Sequence, residues 1–520
     1  MKLLNLEEMT IEQKLGMTYC ARPGCPEDWD FIFEQIKKRA IGCIQVSFKR
    51  PDRVKQILET ADYPIIIVCD TEGGFPGSDL PRAPLLALGA CDDERYYEAF
   101  AKGVVRDAKK IGFNACWSPV VDILRCNERC KVSRVISDDP ERVARGAEVI
   151  SRVFLRNGYL SGAKHYPGGH NTPYDNHMAA TVSSVTEQEL LDFDLIPYKR
   201  LMEKGLLPAI MTSHCVFGNI DPDVPGTLSP KVQSIIRKIG FNGITFTDSF
   251  AMMAILQKYG EENILGMAIA AGNDIVLPNY RTPDRDAFAM LVKNYEDGMF
   301  TEERLNEAVS RVRAAHAFIV AEPEAPDTFT DDDLALLLEL GEKCVTAICD
   351  EDVTAALDPY KKHLFVVLTD NEFEPSETDM EIQSDVWYSP NNITLYIKKY
   401  FPDSTIMYLP EFPDKNDNEP ILLAAAEHDD VIFTTFCSVA PYRGTDCLTR
   451  RVENMIDCVN LNKKLAAVVH FGNPNALQPL LHVKRKIFGY HMPSAQPHCY
   501  AALAGKMVPT GSLPLQIDFQ

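Results

Sequence analysis

The stretch Ile65-Ile66-Ile67-Val68-Cys69-Asp70 decides how this chain is read. Four β-branched residues in succession, with no polar position alternating, describe a strand covered on both faces, as in a parallel sheet between layers of helix. The run then stops on a carboxylate. The same pattern recurs along the first 300 residues, where short apolar strands are expected at 15–20, 41–48, 64–70, 113–121, 160–166, 208–214, 243–248 and 274–278. Amphipathic helices are expected between them, among others at 93–111, 140–157, 187–204 and 230–239. Asp139-Pro140 and Ser229-Pro230 are helix-start signals, a capping side chain followed by a first-turn proline. Eight β-α units in series predict a (β/α)8 TIM-like barrel, and a doubly wound open sheet is the structural alternative.

The polar residues fall where these strands end. Asp70 closes its strand, Lys164 and His165 follow Ala163, His214 follows Ser213, and Asp248 follows Thr247. Barrel active sites lie at the carboxyl ends of the strands, so the coincidence points to one site. The densest segment is Lys164-His165-Tyr166-Pro167-Gly168-Gly169-His170-Asn171-Thr172-Pro173-Tyr174-Asp175-Asn176-His177. Its prolines and paired glycines make it a shaped loop at a strand end.

The helix expected at 302–320 runs into Ala321-Glu322-Pro323-Glu324-Ala325-Pro326-Asp327-Thr328, a proline- and acid-rich linker. The expected organisation is a barrel over 1–320, a linker over 321–330 and a smaller α/β sandwich over 331–520. That second unit opens with a helix at 331–348 and carries strands near 363–368, 405–409, 430–436, 464–471 and 486–490.

The net charge is −21 over 520 residues. No excess of Lys and Arg exists to meet phosphates, which argues against a nucleic-acid or anionic-membrane partner. No apolar run has the length of a membrane span, and Glu7 and Glu8 interrupt the amino terminus, so no export signal is read. The 15 cysteines are scattered, with Cys126 and Cys130 among the nearest neighbours and no C-x-x-C. They are expected as reduced thiols of a cytoplasmic protein, monomeric or a homodimer.

Asp248 at a strand mouth can be a nucleophile, a metal ligand or a cap for the residues that follow it. Asp175 and His177 stand two apart, which in an extended loop puts both side chains on one side. A carboxylate beside an imidazole orients it and favours its cation, so the pair is a candidate general acid.

These segments resemble glycoside hydrolase family 3, specifically its β-N-acetylglucosaminidase branch. The loop 164–177 is similar to that branch's K-H-F-P-G … D-S-H. Asp70-Thr71-Glu72-Gly73-Gly74 is similar to D-x-E-G-G, Asn114 to Asp122 to N-x-x-x-x-P-V-x-D, and Arg134 to Pro140 to R-x-x-x-x-D-P. Met211 to His214, Ile244 to Asp248, and Ala271-Gly272-Asn273-Asp274 match in the same order, as do Val469 to Pro474 and Pro509 to Pro514. The resemblance implies a retaining glycosidase that removes terminal β-linked N-acetylglucosamine, without cofactor or metal. Asp248 would be its nucleophile and His177, paired with Asp175, its acid/base. Asp70, Arg134, Lys164, His165 and His214 would be its substrate contacts. The loop is expected to fold over the mouth as a lid.

Two departures stand out. Gly168-Gly169-His170-Asn171 replaces the usual G-H-G-D and moves a histidine by one place. Phe75-Pro76-Gly77-Ser78-Asp79 replaces R-V-x-R, which removes a basic contact or leaves its place to Arg82. The readings that compete are a phosphorylase or β-glucosidase of the same family, a metal-dependent barrel hydrolase using His165, His170, His177, His214, Asp70 and Asp248, and an inactive sugar-binding protein.

Overall fold

The computed structural model describes residues 2–125, 132–323, 325–371, 373–375, 387–437 and 446–519. Cys126 and Cys130 lie outside the described residues. Eight parallel strands follow one another in chain order: Cys20–Ala21, Cys43–Gln45, Ile66–Cys69, Ala115–Cys116, Leu160–Tyr166, Ala209–Thr212, Ile244–Ser249 and Ile275–Leu277. A parallel bridge from Tyr19 to Val276 joins the last strand to the first and closes the ring. The expected (β/α)8 barrel is the architecture found. Ile66 and Ile67, from the stretch that set the reading, are fully buried.

Several expected strands are shorter, 41–48 reducing to Cys43–Gln45, and two shrink to two residues each. Most of 15–20 is not strand: the helix Ile11–Met17 takes Leu15 and Met17 into its buried face, leaving only Cys20–Ala21 for the ladder. The cause is a capping box, in which Thr10 and Gln13 each accept the other's backbone N–H. The expected strand 113–121 reduces to Ala115–Cys116. Pro119 has no N–H to give a neighbour, and the chain turns there towards Asp122. The helical stretch at 187–204 is interrupted by a π-turn at Leu190–Asp194.

The second unit is a six-stranded sheet in the order Thr346–Cys349, Arg485–Phe488, Leu465–Phe471, Asp430–Phe436, His363–Thr369, Thr405–Pro410. Only Thr346–Cys349 runs antiparallel to its neighbour. That strand corrects the expected helix 331–348, which stops at Lys343. Thr346 and Ile348 are β-branched and suit a strand, and Tyr490 holds Thr346 by a 2.7 Å hydrogen bond between hydroxyls.

The two units touch along the helices Glu94–Ile111 and Asp331–Lys343. Lys102 reaches Asp333 at 3.3 Å, and a side chain at Gly103 would collide with Leu80, 2.7 Å away. Phe75, Ser78 and Asp79, from the second departure, form a packed turn on the barrel side of this seam. Phe75 packs on Phe48 and Phe113, Ser78 binds Asp107, and Asp79 pairs with Arg106.

Candidate active site

Strand ends bring the first group together. Lys164 lies on the buried strand Leu160–Tyr166, with its Nζ 2.5 Å from Glu72 Oε1 and 3.3 Å from Asp70 Oδ1. Glu72 also accepts Arg134 in a bidentate pair, at 2.8 Å from Nε and 2.6 Å from Nη2. Burial pushes the Glu72 carboxyl up, but Arg134 and Lys164 outweigh it and hold the group well below the ordinary carboxylate range. Burial likewise pulls Lys164 down, and Glu72 and Asp70 reverse this and keep its ammonium charged. Asp70 keeps over half of its side chain exposed towards the mouth. Arg134 Nη1 donates to no protein acceptor among the described residues. Arg82, after the Phe75 turn, reaches back over Gly73, with its Nη2 3.7 Å from where a Cβ would stand.

A second group lies beneath the loop. Asp122 accepts the His165 amide at 3.1 Å and faces His165 Nδ1 at 2.7 Å and His170 Nδ1 at 3.6 Å. His170 Nε2 meets Ser213 Oγ at 2.6 Å. The displaced histidine of the first departure therefore turns inward and shares the carboxylate that orients His165. Two glycines make that turn possible: Gly168 and Gly169 have φ of 77° and 65°, and a Cβ on Gly169 would stand 2.6 Å from Leu190. Gly169 N donates at 2.8 Å to Asp194, which the π-turn presents and Arg125 pairs with. An extra residue in a helical turn re-aims a side chain, and here it aims Asp194 at the loop backbone.

Asp248 ends the seventh strand. Its Oδ1 accepts the Ser249 amide at 2.7 Å, and its second oxygen has no hydrogen-bond partner among the described residues. Burial pushes this carboxyl up; the charges of His165 and His214, the Ser249 amide and Lys164 together hold it far below the ordinary range. His214 is stacked on Phe250 at 5.4 Å, and both its nitrogens have protein partners, Thr227 Oγ1 at 2.9 Å and Ser249 O at 3.0 Å. Burial depresses its basicity, and it lies within electrostatic reach of Asp248, His165 and His177. Arg22, from the first strand end, spans the seam by holding Gln45, Ser249 and Pro278.

The loop is laid across this mouth. His177 O accepts the Met253 amide at 3.1 Å, which ties it to the segment after Asp248. Asp175 Oδ1 receives both the backbone N–H and the Nδ1 of His177, at 2.9 and 2.7 Å. Asp175 is buried and His177 half-buried. Beyond it, Val182–Ser183 pairs with Val216–Phe217 as a small parallel ribbon that fixes the return of the loop.

All eight residues singled out in the sequence sit on this one face of the barrel. The sequence reading gave no role to Glu72, Asp122, Asp194 or Ser249. Glu72 and Asp122 carried a signal, since each lies within a motif quoted for the family resemblance. Asp194 carried none, because a π-turn has no spacing signature. Among the described residues, no three His, Cys, Asp or Glu side chains converge in a metal-binding arrangement. No helix among them is long and apolar enough to cross a membrane.

A (β/α)8 barrel with an ionised carboxylate, an imidazole held by its own carboxylate, and charged groups able to grip hydroxyls at one end defines a barrel glycosidase. Comparison with known proteins agrees. The family described as Glycosyl hydrolase family 3 N terminal domain matches residues 44–315. The chain belongs to glycosyl hydrolase family 3. A protein of Cellulomonas fimi named beta-N-acetylglucosaminidase/beta-glucosidase is 26% identical over 333 residues, covering 60% of this chain and 58% of that one. A beta-hexosaminidase of Xylella fastidiosa (strain M12) is 31% identical over 232 residues, covering 42% of this chain and 68% of that one. The fold is shared with a solved glycoside hydrolase family 3 beta-N-acetylglucosaminidase from Paenibacillus sp. str. FPU-7. That match has a TM-score of 0.79 at 24% identity and covers 98% of this chain and 100% of that one.

Proposed function

We propose that the protein is a retaining glycosidase that removes terminal β-linked N-acetylglucosamine from oligosaccharides or glycosides. The observation that carries this reading is the Asp175–His177 pair on a loop tied to the segment following Asp248. With Nδ1 of His177 facing Asp175, Nε2 is the ring nitrogen that would protonate a glycosidic oxygen. In the first step the second oxygen of Asp248 attacks the anomeric carbon, the glycosidic bond breaks, and His177 gives its proton to the departing oxygen. In the second step water attacks the same carbon, His177 takes a proton from that water, and the bond from the anomeric carbon to Asp248 breaks.

Asp70, Arg134, Lys164 and His165 serve as sugar contacts, with Glu72 and Asp122 holding three of them in place. His214, with both nitrogens engaged, acts by fixing the backbone beside Asp248. The D-x-H pair in the loop and the name of the Xylella fastidiosa relative, beta-hexosaminidase, support N-acetylglucosamine over glucose. The described cysteines are free thiols, which suits action in the cytoplasm.

An imidazole acid/base also tolerates an anionic acceptor that a carboxylate would repel, so phosphorolysis is the second reading. One assay separates these: aryl β-N-acetylglucosaminide and aryl β-glucoside, each with and without inorganic phosphate. Release of free N-acetylglucosamine, unaffected by phosphate, is expected. A sugar 1-phosphate product replaces hydrolysis with phosphorolysis, and faster turnover of the glucoside sinks the substrate assignment.

A further inference from the structure

The last residues of the chain leave the second sheet and return to the barrel. Gly511 N still bonds Val345 O in the second unit, and Ser512 N already donates to Ala90 O, at 2.9 Å, on the barrel helix Leu85–Cys91. Two residues on, Pro514 O accepts the hydroxyl of the buried Ser137. The Gln516 amide then donates to Asp138 Oδ2 at 2.6 Å. The other side of this segment is closed as well. A Cβ on Gly89 would stand 2.0 Å from Ile136 O and 3.2 Å from Pro514 Cβ, so helix, tail and the 134–139 segment are in contact with no spare room.

Arg134 begins that segment. Its guanidinium is fixed by Glu72, while its backbone is fixed downstream by buried Val135, Ile136 and Ser137 and by the start of the helix Pro140–Arg156. Ser137 Oγ both donates to Pro514 and accepts the Asp139 amide, at 3.1 Å. Loss of the tail contacts frees the backbone end of Arg134 while Glu72 still holds the other. The guanidinium would then pivot about Glu72 and lose its alignment to a sugar hydroxyl.

We propose that residues 512–516 are a positioning strap for Arg134, through which the second sheet sets how tightly the barrel holds its sugar. The inference rests on Arg134 being a sugar contact, as read above. Ser137 and Asp138 are then positioning residues that touch no substrate. A misplacement of a fraction of an ångström at a binding group is enough to change affinity several-fold.

The test uses the full-length protein and an aryl β-N-acetylglucosaminide. Ser137→Ala and Asp138→Ala each break a different strap bond, and each is made in the wild-type and in the Arg134→Ala background. Lys102→Ala, which breaks the Lys102–Asp333 contact between the units elsewhere, is the control. Each strap variant is expected to raise KM roughly five-fold, with the pH profile of kcat unmoved. In the Arg134→Ala background the same changes should alter KM less than about two-fold, because coupled residues do not add. Asp138 is not fully buried, so that variant reports even if Ser137→Ala folds poorly. Wild-type KM in both strap variants, full effects persisting over Arg134→Ala, or an equal rise in Lys102→Ala each overturns the strap. If Arg134→Ala itself leaves KM at the wild-type value, the sugar-contact reading falls, and the strap with it.

Discussion

The two ends of the barrel each hold an aspartate among charged side chains, Asp274 fully buried and Asp248 partly so, and they are treated in opposite ways. Asp274, at the amino end of the eighth strand, is saturated. Its Oδ1 accepts Arg304 and Arg311 at 2.8 and 2.9 Å, and its Oδ2 accepts Arg237 at 2.9 Å and the Thr245 amide at 3.0 Å. Asp248, at the carboxyl end of the neighbouring strand, has one amide on one oxygen and nothing described on the other. Both sit among cations. At one end the cations touch the carboxylate and satisfy it; at the other they lie further off and stabilise its charge while leaving a lone pair open. Direct pairing yields a structural ion cluster, and charge without contact is what the nucleophile role proposed for Asp248 requires.

This contrast can be broken most directly at Asp248. Asp248→Ala should lower kcat by roughly 10³–10⁵-fold and leave the melting temperature unchanged or higher, because an unsatisfied carboxylate among fixed groups contributes function and not stability. A residual rate within tenfold of wild type would remove Asp248 from its role. Asp274→Ala should do the reverse. Three arginines lose their shared partner, and urea unfolding should show a loss of about 3–5 kcal/mol, with kcat of the molecules still folded near wild type. An unchanged unfolding midpoint would show that the cluster is ornamental.

His177→Ala sharpens the upper half of the comparison. Alkyl glycosides, whose leaving groups need a proton, should slow by about 10²–10⁴-fold, and activated aryl glycosides much less. Equal slowing of both would remove the acid role. The smallest effect concerns a third carboxylate, Asp284, beneath the seam between first and last strands. Burial raises its pKa to about 6, against hydrogen bonds from Tyr19 and the Arg22 amide. Its folded pKa exceeds the unfolded value near 4, so the folded state binds more protons between them and stability falls as pH rises from about 4 to about 6. The drop should be roughly 3 kcal/mol, and Asp284→Asn should flatten it in pH-dependent melts.

Much of the upper face was legible because it is built from strand ends. A run such as Ile65 to Asp70 states its own burial and its own terminus, and repetition of that pattern declares a barrel. Asp248, Lys164 and His165 stand out for the same reason, and Asp175 and His177 by their spacing two apart in the loop that follows. What escaped was whatever depends on residues far apart in sequence. Glu72 gains its meaning only when Arg134 and Lys164 arrive, and Asp122 only when His165 and His170 do. The helix at Ile11–Met17 was hidden for a local reason: its apolar positions fit a strand as well, and only the Thr10–Gln13 exchange of hydrogen bonds decides. The strand Thr346–Cys349 was absorbed into the preceding helix because its apolar positions continue that helix's pattern, and only a distant partner, Arg485–Phe488, reveals it.

The ring closes through one bridge between Tyr19 and Val276. During synthesis, at about 5–20 residues per second, the first strand waits on the order of tens of seconds for its second neighbour. For that interval the growing barrel is an open sheet, and an open edge is a template on which another nascent chain can add. The waiting strand, Cys20–Ala21, is only two residues long. So brief an edge offers few backbone groups on which another nascent chain could pair.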